Sequence, residues 1–213
     1  MQNNDLSPQI IFWDFDGTIK DTMSIKANAF VHLFNDAPED VKHKILQHHQ
    51  NNGGMSRYEK IPLYMSWCNM AQSPEKTNEL FAKFKNDVVN KVIQAKWIDG
   101  FENVVKAKNK SQENILMTAT PQDEIELIVE KLKIKSFFTN IYGAPKKKYD
   151  VVQEVLKDRM INNKSALIIG DSQEDYSVAQ KSGIEFLLVD SNENSKFNSE
   201  YRGRKIRSYD ELR

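Results

Sequence analysis

The sequence predicts an α/β fold: a parallel β-sheet covered by helices on both faces, with an α-helical insertion after its first strand. Three observations lead there. Short apolar runs stop abruptly at acidic or small polar residues. Amphipathic stretches of helical period lie between them. Residues 21–97 carry apolar residues at helical spacing and read differently from the rest.

In chain order, Ile10-Ile11-Phe12-Trp13 is too short for a helix and suits a strand covered on both faces. The insertion follows, with helical faces at Ala27-Phe30-Val31-Phe34 and Leu80-Phe81-Phe84-Val88. Pro38, Asn51-Asn52-Gly53-Gly54 and Ser73-Pro74 divide it into four or so helices. It ends near Asp99-Gly100. Strands recur at Asn114–Met117, Ala166–Ile169 and Phe186–Val189, with a weaker one at Phe137–Tyr142. Ile125, Ile128, Val129 and Leu132, then Val151, Val152, Val155 and Leu156, mark helices between them. The division is therefore a core of residues 1–20 and 98–213, and a helical insertion of residues 21–97.

A chain of 213 residues accommodates one core domain with a sizeable insertion, or two small domains. Thirty basic and thirty acidic residues cancel, which gives no support to nucleic acid or a membrane surface as the main partner. One cysteine, Cys68, rules out a disulfide framework within the chain and fits a cytoplasmic setting. Met1 to Pro8 lacks the basic and apolar pattern of a signal peptide, and no apolar run approaches a bilayer's thickness.

Four constellations carry chemistry. Asp14-Phe15-Asp16-Gly17-Thr18 ends the first strand. Residues two apart in extended chain point to one side, so Asp14 and Asp16 can converge beyond the sheet's carboxyl edge, where α/β sheets bind ligands. One carboxylate can attack while the other moves protons. Both repel a phosphate dianion, so such a site requires a metal ion. An Asp-Gly turn explains the same residues without chemistry. Gly170-Asp171-Ser172 ends a second apolar strand, and Asp175 follows. Carboxylates gathered from both strands are hard oxygen ligands suited to magnesium; helix capping is the alternative, above all for Asp175. In Thr118-Ala119-Thr120-Pro121, a hydroxyl and backbone N–H groups near a helix start can bind phosphate, with Thr120 read as an N-cap and Pro121 as the first helical residue. In Gly143-Ala144-Pro145-Lys146-Lys147-Lys148, one lysine can neutralise the phosphate, although lysine runs are commonly solvated faces.

In order and in motif, these four places resemble the haloacid dehalogenase-like superfamily, in its phosphoglycolate phosphatase and β-phosphoglucomutase-like branch. Asp14 to Thr18 is similar to the first family motif, Thr118 to the second, Lys148 to the third and Gly170-Asp171 through Asp175 to the fourth. The resemblance implies a Rossmann-like parallel core with a helical cap between the first two motifs. It implies a magnesium-dependent phosphatase acting on a small phosphorylated metabolite. Asp14 would be the nucleophile that forms an aspartyl-phosphate, and Asp16 the general acid and base. Magnesium would be held by the Asp14 and Asp171 carboxylates and the Asp16 carbonyl, with Asp175 in support. Thr118, Ala119 and Lys148 would bind the phosphoryl oxygens, with Lys147 second to Lys148. True dehalogenases resemble this pattern but lack an acid at the position of Asp16, so its presence favours phosphoryl transfer.

Within the insertion, Gly53 to Lys60 is the expected specificity loop, with Arg57 placed to pair with an anionic group of the substrate. The same residues read as a helix start with Ser56 as N-cap and Glu59 completing a capping box. His32, His43, His48 and His49 read as exposed or packing residues, and Cys68 as a small buried hydrophobe. A sugar-phosphate mutase with the same residues, or a catalytically silent binding module, are the alternatives. No motif sets the substrate, the pathway or the oligomeric state.

Overall fold

The computed structural model describes residues 8–107, 112–190 and 196–212. Residues 1–7, which carry most of the segment read as lacking a signal peptide, lie outside the described residues. Among the described residues, no helix is long and apolar enough to cross a membrane.

The sheet has six strands: β1 (Ile10–Trp13), β2 (Glu113–Pro121), β3 (Asn140–Ala144), β4 (Ala166–Gly170), β5 (Glu185–Val189) and β6 (Lys205–Ile206). Their order is β3-β2-β1-β4-β5-β6, and every pairing is parallel. Alternate residues serve opposite layers. Ile11, Trp13, Leu116, Leu167 and Ile169 face one core, and Ile10, Phe12, Ile115, Met117 and Ile168 face the other. Two buried faces explain why these strands read as unbroken apolar runs, each buried side chain contributing roughly 1.5–3 kcal/mol. One face packs on α6 (Gln122–Lys131), and the other on α7 (Lys148–Arg159) and α8 (Gln173–Ser182). A short α5 (Phe101–Lys106) follows the insertion, and a short α9 (Lys196–Glu200) precedes β6.

The weaker predicted strand begins later than its apolar pattern does. Phe137 closes a 3-10 turn at Lys135–Phe137 and is apolar because it packs edge-on against Trp13, with ring centroids 5.8 Å apart. The short strand β6 is also absent from the apolar pattern: it is two residues long and begins with an exposed lysine.

Four helices fill the insertion: α1 (Met23–Leu33), α2 (Glu39–Asn51), α3 (Arg57–Trp67) and α4 (Pro74–Gln94). Phe30 centres their core, with ring centroids 4.3 Å from Phe84, 5.4 Å from Tyr64 and 5.1 Å from His49. His48 points its Nδ1 to the Tyr64 hydroxyl at 2.9 Å. Cys68 lies at the C-cap of α3 and is half-buried rather than buried. The two connections to the core run side by side. Asp21 N–H donates to the Lys96 carbonyl at 2.9 Å and Ile98 N–H to the Ile19 carbonyl at 3.0 Å, bracketing an antiparallel bridge between Lys20 and Trp97.

Candidate active site

The order of the strands decides where chemistry can occur. The chain passes from β1 to β2 and β3 on one side, then returns to β4 on the other, so a crevice opens beyond the carboxyl ends of β1 and β4. Asp14 and Asp171 stand immediately beyond those ends, and the Asp14 N–H donates to the Ile169 carbonyl at 2.9 Å. A tight loop follows Asp14, with Gly17 at φ 75°.

Lys148, the first residue of α7, joins the two acidic clusters. Its ammonium donates to Asp14 Oδ1 and to Asp175 Oδ1, each at 2.7 Å. Burial alone would pull Lys148 down, but Asp14 and Asp175 outweigh it and hold the lysine well above its ordinary value. The neighbouring lysines point elsewhere: Lys147 is exposed, and Lys146 donates to Glu154 at 2.6 Å.

Asp175 does two things. Its Oδ2 accepts from the Ser172 hydroxyl at 2.5 Å and from the Ser172 N–H at 3.3 Å, which forms a capping box on α8, while its Oδ1 meets Lys148. Capping and site chemistry, alternatives in the sequence, coexist in one residue.

One oxygen each from Asp14, Asp171 and Asp175 lie within 4.8 Å of one another. Asp171 Oδ2 is buried without a hydrogen-bond partner among the described residues. Burial pushes Asp14 up to about 7 against the pull of Lys148, with Asp175 and Asp16 adding repulsion. Asp171 is pushed well above its ordinary value by burial, then by Asp14 and Asp175. An orphaned carboxylate oxygen among buried, mutually repelling acids fits a hard divalent cation. Magnesium is compatible with this donor set.

Asp16 sits on the other side of the loop. Its carboxylate accepts from Thr22 Oγ1 at 2.6 Å and Thr120 Oγ1 at 3.1 Å, and pairs with the Lys26 ammonium. Burial pushes Asp16 up, but Lys26, Thr22 and Thr120 together hold it below its ordinary value. Thr120 therefore departs from its expected N-cap role. The strand β2 continues to Pro121, which is itself the N-cap of α6, because its register against β3 shifts between Met117 and Pro121. Thr118 is buried and its hydroxyl accepts from the Thr120 N–H at 3.2 Å. Thr118, Ala119 and Lys148 line one cleft of about 380 Å³ with Gly54, Tyr58 and Glu174.

Arg57 departs from its expected freedom to meet an anion. It is buried, and its guanidinium forks onto Glu124 at 3.1 and 2.5 Å, joining α3 of the insertion to the first turn of α6. Ser56 is the N-cap of α3, but its hydroxyl lies 3.5 Å from Glu59 and bonds no backbone N–H there.

Lys26, Thr22, Lys60, His49, Glu124 and Glu174 complete the surroundings of the site and escaped the motif pattern. Thr22 and Lys26 are four apart, one face of a helix start, and that spacing was a readable signal. The others meet the site through tertiary contacts that no local spacing encodes.

The chain belongs to the haloacid dehalogenase-like hydrolases: that family's model matches residues 10–189. Among solved structures, it is similar to CbbY from Rhodobacter sphaeroides in complex with phosphate (TM-score 0.74, 16% identity, 96% of each chain). A protein provisionally assigned as a phosphoglycolate phosphatase from Lactobacillus plantarum matches with a TM-score of 0.75 at 14% identity, over 97% of this chain and 98% of that one. A Thermotoga maritima protein provisionally assigned as a β-phosphoglucomutase matches with a TM-score of 0.63 at 19% identity, over 89% of each chain. At these identities the likeness is one of fold. No curated protein matches the chain.

Proposed function

We propose that the protein is a magnesium-dependent phosphatase that hydrolyses a small phosphate monoester through an aspartyl-phosphate on Asp14. The observation that carries this reading is the division of labour between two buried carboxylates. Asp14 faces Lys148 and the acidic cluster, while Asp16 faces Thr22, Lys26 and Thr120. One can attack phosphorus while the other serves the leaving oxygen.

In the first step a carboxylate oxygen of Asp14 bonds to phosphorus, the bond to the ester oxygen breaks, and Asp16, which must first take a proton from solvent because Lys26 and its hydroxyl partners hold it ionised, gives that proton to the oxygen. In the second step water attacks phosphorus, Asp16 takes the water's proton, inorganic phosphate leaves and the Asp14 carboxylate is restored. Lys148 and the groups at Thr118 and Ala119 hold the phosphoryl oxygens and offset their charge. The Asp14 and Asp171 carboxylates and the Asp16 main-chain carbonyl would hold magnesium, with Asp175 orienting Lys148 and Ser172 beside it. When bound, the ion supplies positive charge that reduces repulsion between phosphate and carboxylates. The helical insertion acts as a cap over the cleft. A small phosphorylated metabolite in a cytoplasmic setting fits the neutral charge balance and lone cysteine.

The test is phosphate release from p-nitrophenyl phosphate and a panel of metabolite phosphates, with magnesium, with chelator, and with Asp14→Asn. Release that requires both magnesium and Asp14 is the expected result. A folded protein releasing none would overturn the reading. The likeness to a protein assigned as a β-phosphoglucomutase keeps a mutase as the second reading; transfer between sugar positions without phosphate release would favour it.

A further inference from the structure

We infer that Tyr209, in the last turn of the chain, is a positioning residue for the nucleophile loop, which it holds in place while the cap moves. This rests on the phosphatase reading above and extends it to a segment outside all four motifs.

A 3-10 turn at Tyr209–Leu212 follows β6 and packs against α5, where the chain returns from the cap. Tyr209 is 2% exposed. Its ring packs on Trp13, the residue before Asp14, with centroids 5.8 Å apart, and on Phe101 at 5.6 Å. Its hydroxyl donates to the Thr18 carbonyl at 2.9 Å. One side chain thus touches the chain on both sides of the loop that carries Asp14 and Asp16. Thr18 is fully buried, and its own hydroxyl lies 3.5 Å from Asp14 Oδ2.

The main chain of Tyr209 holds the returning connection. Its N–H donates to the Asp99 carbonyl at 2.8 Å, which also accepts from the Ser208 hydroxyl at 3.1 Å. Both segments that join cap and core are therefore anchored to one residue, at Thr18 and at Asp99. A swing of the cap has its pivots on the cap side of these anchors, so the loop need not follow it. The turn is braced from within: the Glu211 carboxylate accepts from the N–H groups of Arg207 and Ser208 at 2.7 and 2.9 Å. Burial, then the charges of Asp14 and Asp171, hold the Tyr209 phenol well above its ordinary value, so it stays a neutral donor. Without that donor, the buried Thr18 carbonyl is left unpaired or shifts to find a partner. A shift there moves Asp14, and a misplacement of about 1 Å can slow attack by about a hundredfold.

Tyr209→Phe keeps the ring and removes the hydroxyl. With p-nitrophenyl phosphate and saturating magnesium, kcat is expected to fall about tenfold while KM changes by less than about twofold, because the loop serves attack more than capture. Amide exchange followed by mass spectrometry supplies a readout without turnover. In residues 14–20 the N–H groups of Ile19 and Lys20 both donate to the Phe15 carbonyl. That segment should exchange about tenfold faster in Tyr209→Phe, with β4 at its wild-type rate. Ile184→Val is the control: Ile184 is buried in the other core, just before β5 and at the far end of the sheet from the loop. It should lower Tm without either change. A folded Tyr209→Phe with wild-type loop exchange overturns the inference, as does wild-type kcat, or an equal effect in Ile184→Val. Faster loop exchange in Tyr209→Phe, beside a wild type that releases no phosphate, would overturn the phosphatase reading and uphold this one. Phosphate release with an unaffected loop would do the reverse.

Discussion

Lys148 reaches Asp14 and Asp175 at 2.7 Å each, so removing it leaves two buried carboxylates facing one another without their shared counter-charge. Lys148→Met is expected to lower kcat/KM by on the order of a hundredfold or more in steady-state assays. It should also destabilise the magnesium-free protein by roughly 3–5 kcal/mol in denaturant titrations, the usual effect of breaking a buried pair. The acids give a pH prediction of definite sign. Asp14 rises from 3.8 to about 7 through burial, despite Lys148, so the folded chain holds a proton there that the unfolded chain has released. The folded state binds more protons across that window, and its stability falls as pH rises through it. A bound cation replaces the proton. Magnesium should therefore raise Tm by more at about pH 7.5 than at about pH 5, measured by scanning calorimetry. Equal shifts at both would argue against these carboxylates as the ion's ligands. At this scale the sequence was most legible where a strand ends: Asp14 and Asp171 announced themselves as acids at the close of apolar runs. Lys60 and His49 did not, because they pair with each other from α3 and α2 and reach the site only in the folded chain.

The elements were legible in proportion to their burial. Strands β1, β4 and β5 are covered on both faces and show as apolar runs, whereas β6 contributes one exposed and one buried residue and leaves no run. The end of β2 misled for a different reason. Thr-Pro is a strong local signal for a helix start, but the strand's irregular pairing carries Thr120 one step further into the sheet, where its hydroxyl serves Asp16. The start of α8 offers a test at this scale. Ser172→Ala removes a cap worth about 1 kcal/mol and leaves the Oδ2 of Asp175 with only the residue-172 N–H as donor there. The expected outcome is a lower denaturation midpoint by that amount together with weaker magnesium dependence of activity. A stability loss with an unchanged magnesium requirement would confine Ser172 to capping.

Across the whole molecule, cap and core meet at several places that no motif declared, the Lys26–Asp16 and Lys85–Asp123 pairs among them, and two more bear on how the cap sits. One is the buried Arg57–Glu124 pair. The other is Gly54, where an added Cβ would lie 2.8 Å from Glu174 Cβ and 2.0 Å from its Oε2. Glycine is thus what lets the loop before α3 approach α8. Gly54→Ala is expected to raise KM severalfold by holding the cap away, and Glu174→Ala in the same chain should reverse part of that rise. Independent, additive effects of the two substitutions would show that the contact does not govern closure. The insertion was visible from sequence as a change of period, but its fit to the core depends on pairs from distant segments.

The bridge between Lys20 and Trp97 has a consequence for the chain's ancestry and its redesign. Because the two connections meet at an antiparallel bridge, the ends of the whole insertion are about one strand spacing apart. A tight hairpin could span that gap, so the core sheet need not feel whether the excursion between them is long or short. The helical lobe is in this sense a cassette: it can be lengthened, exchanged or pared away at one doorway, while the strands that place Asp14 and Asp171 keep their register.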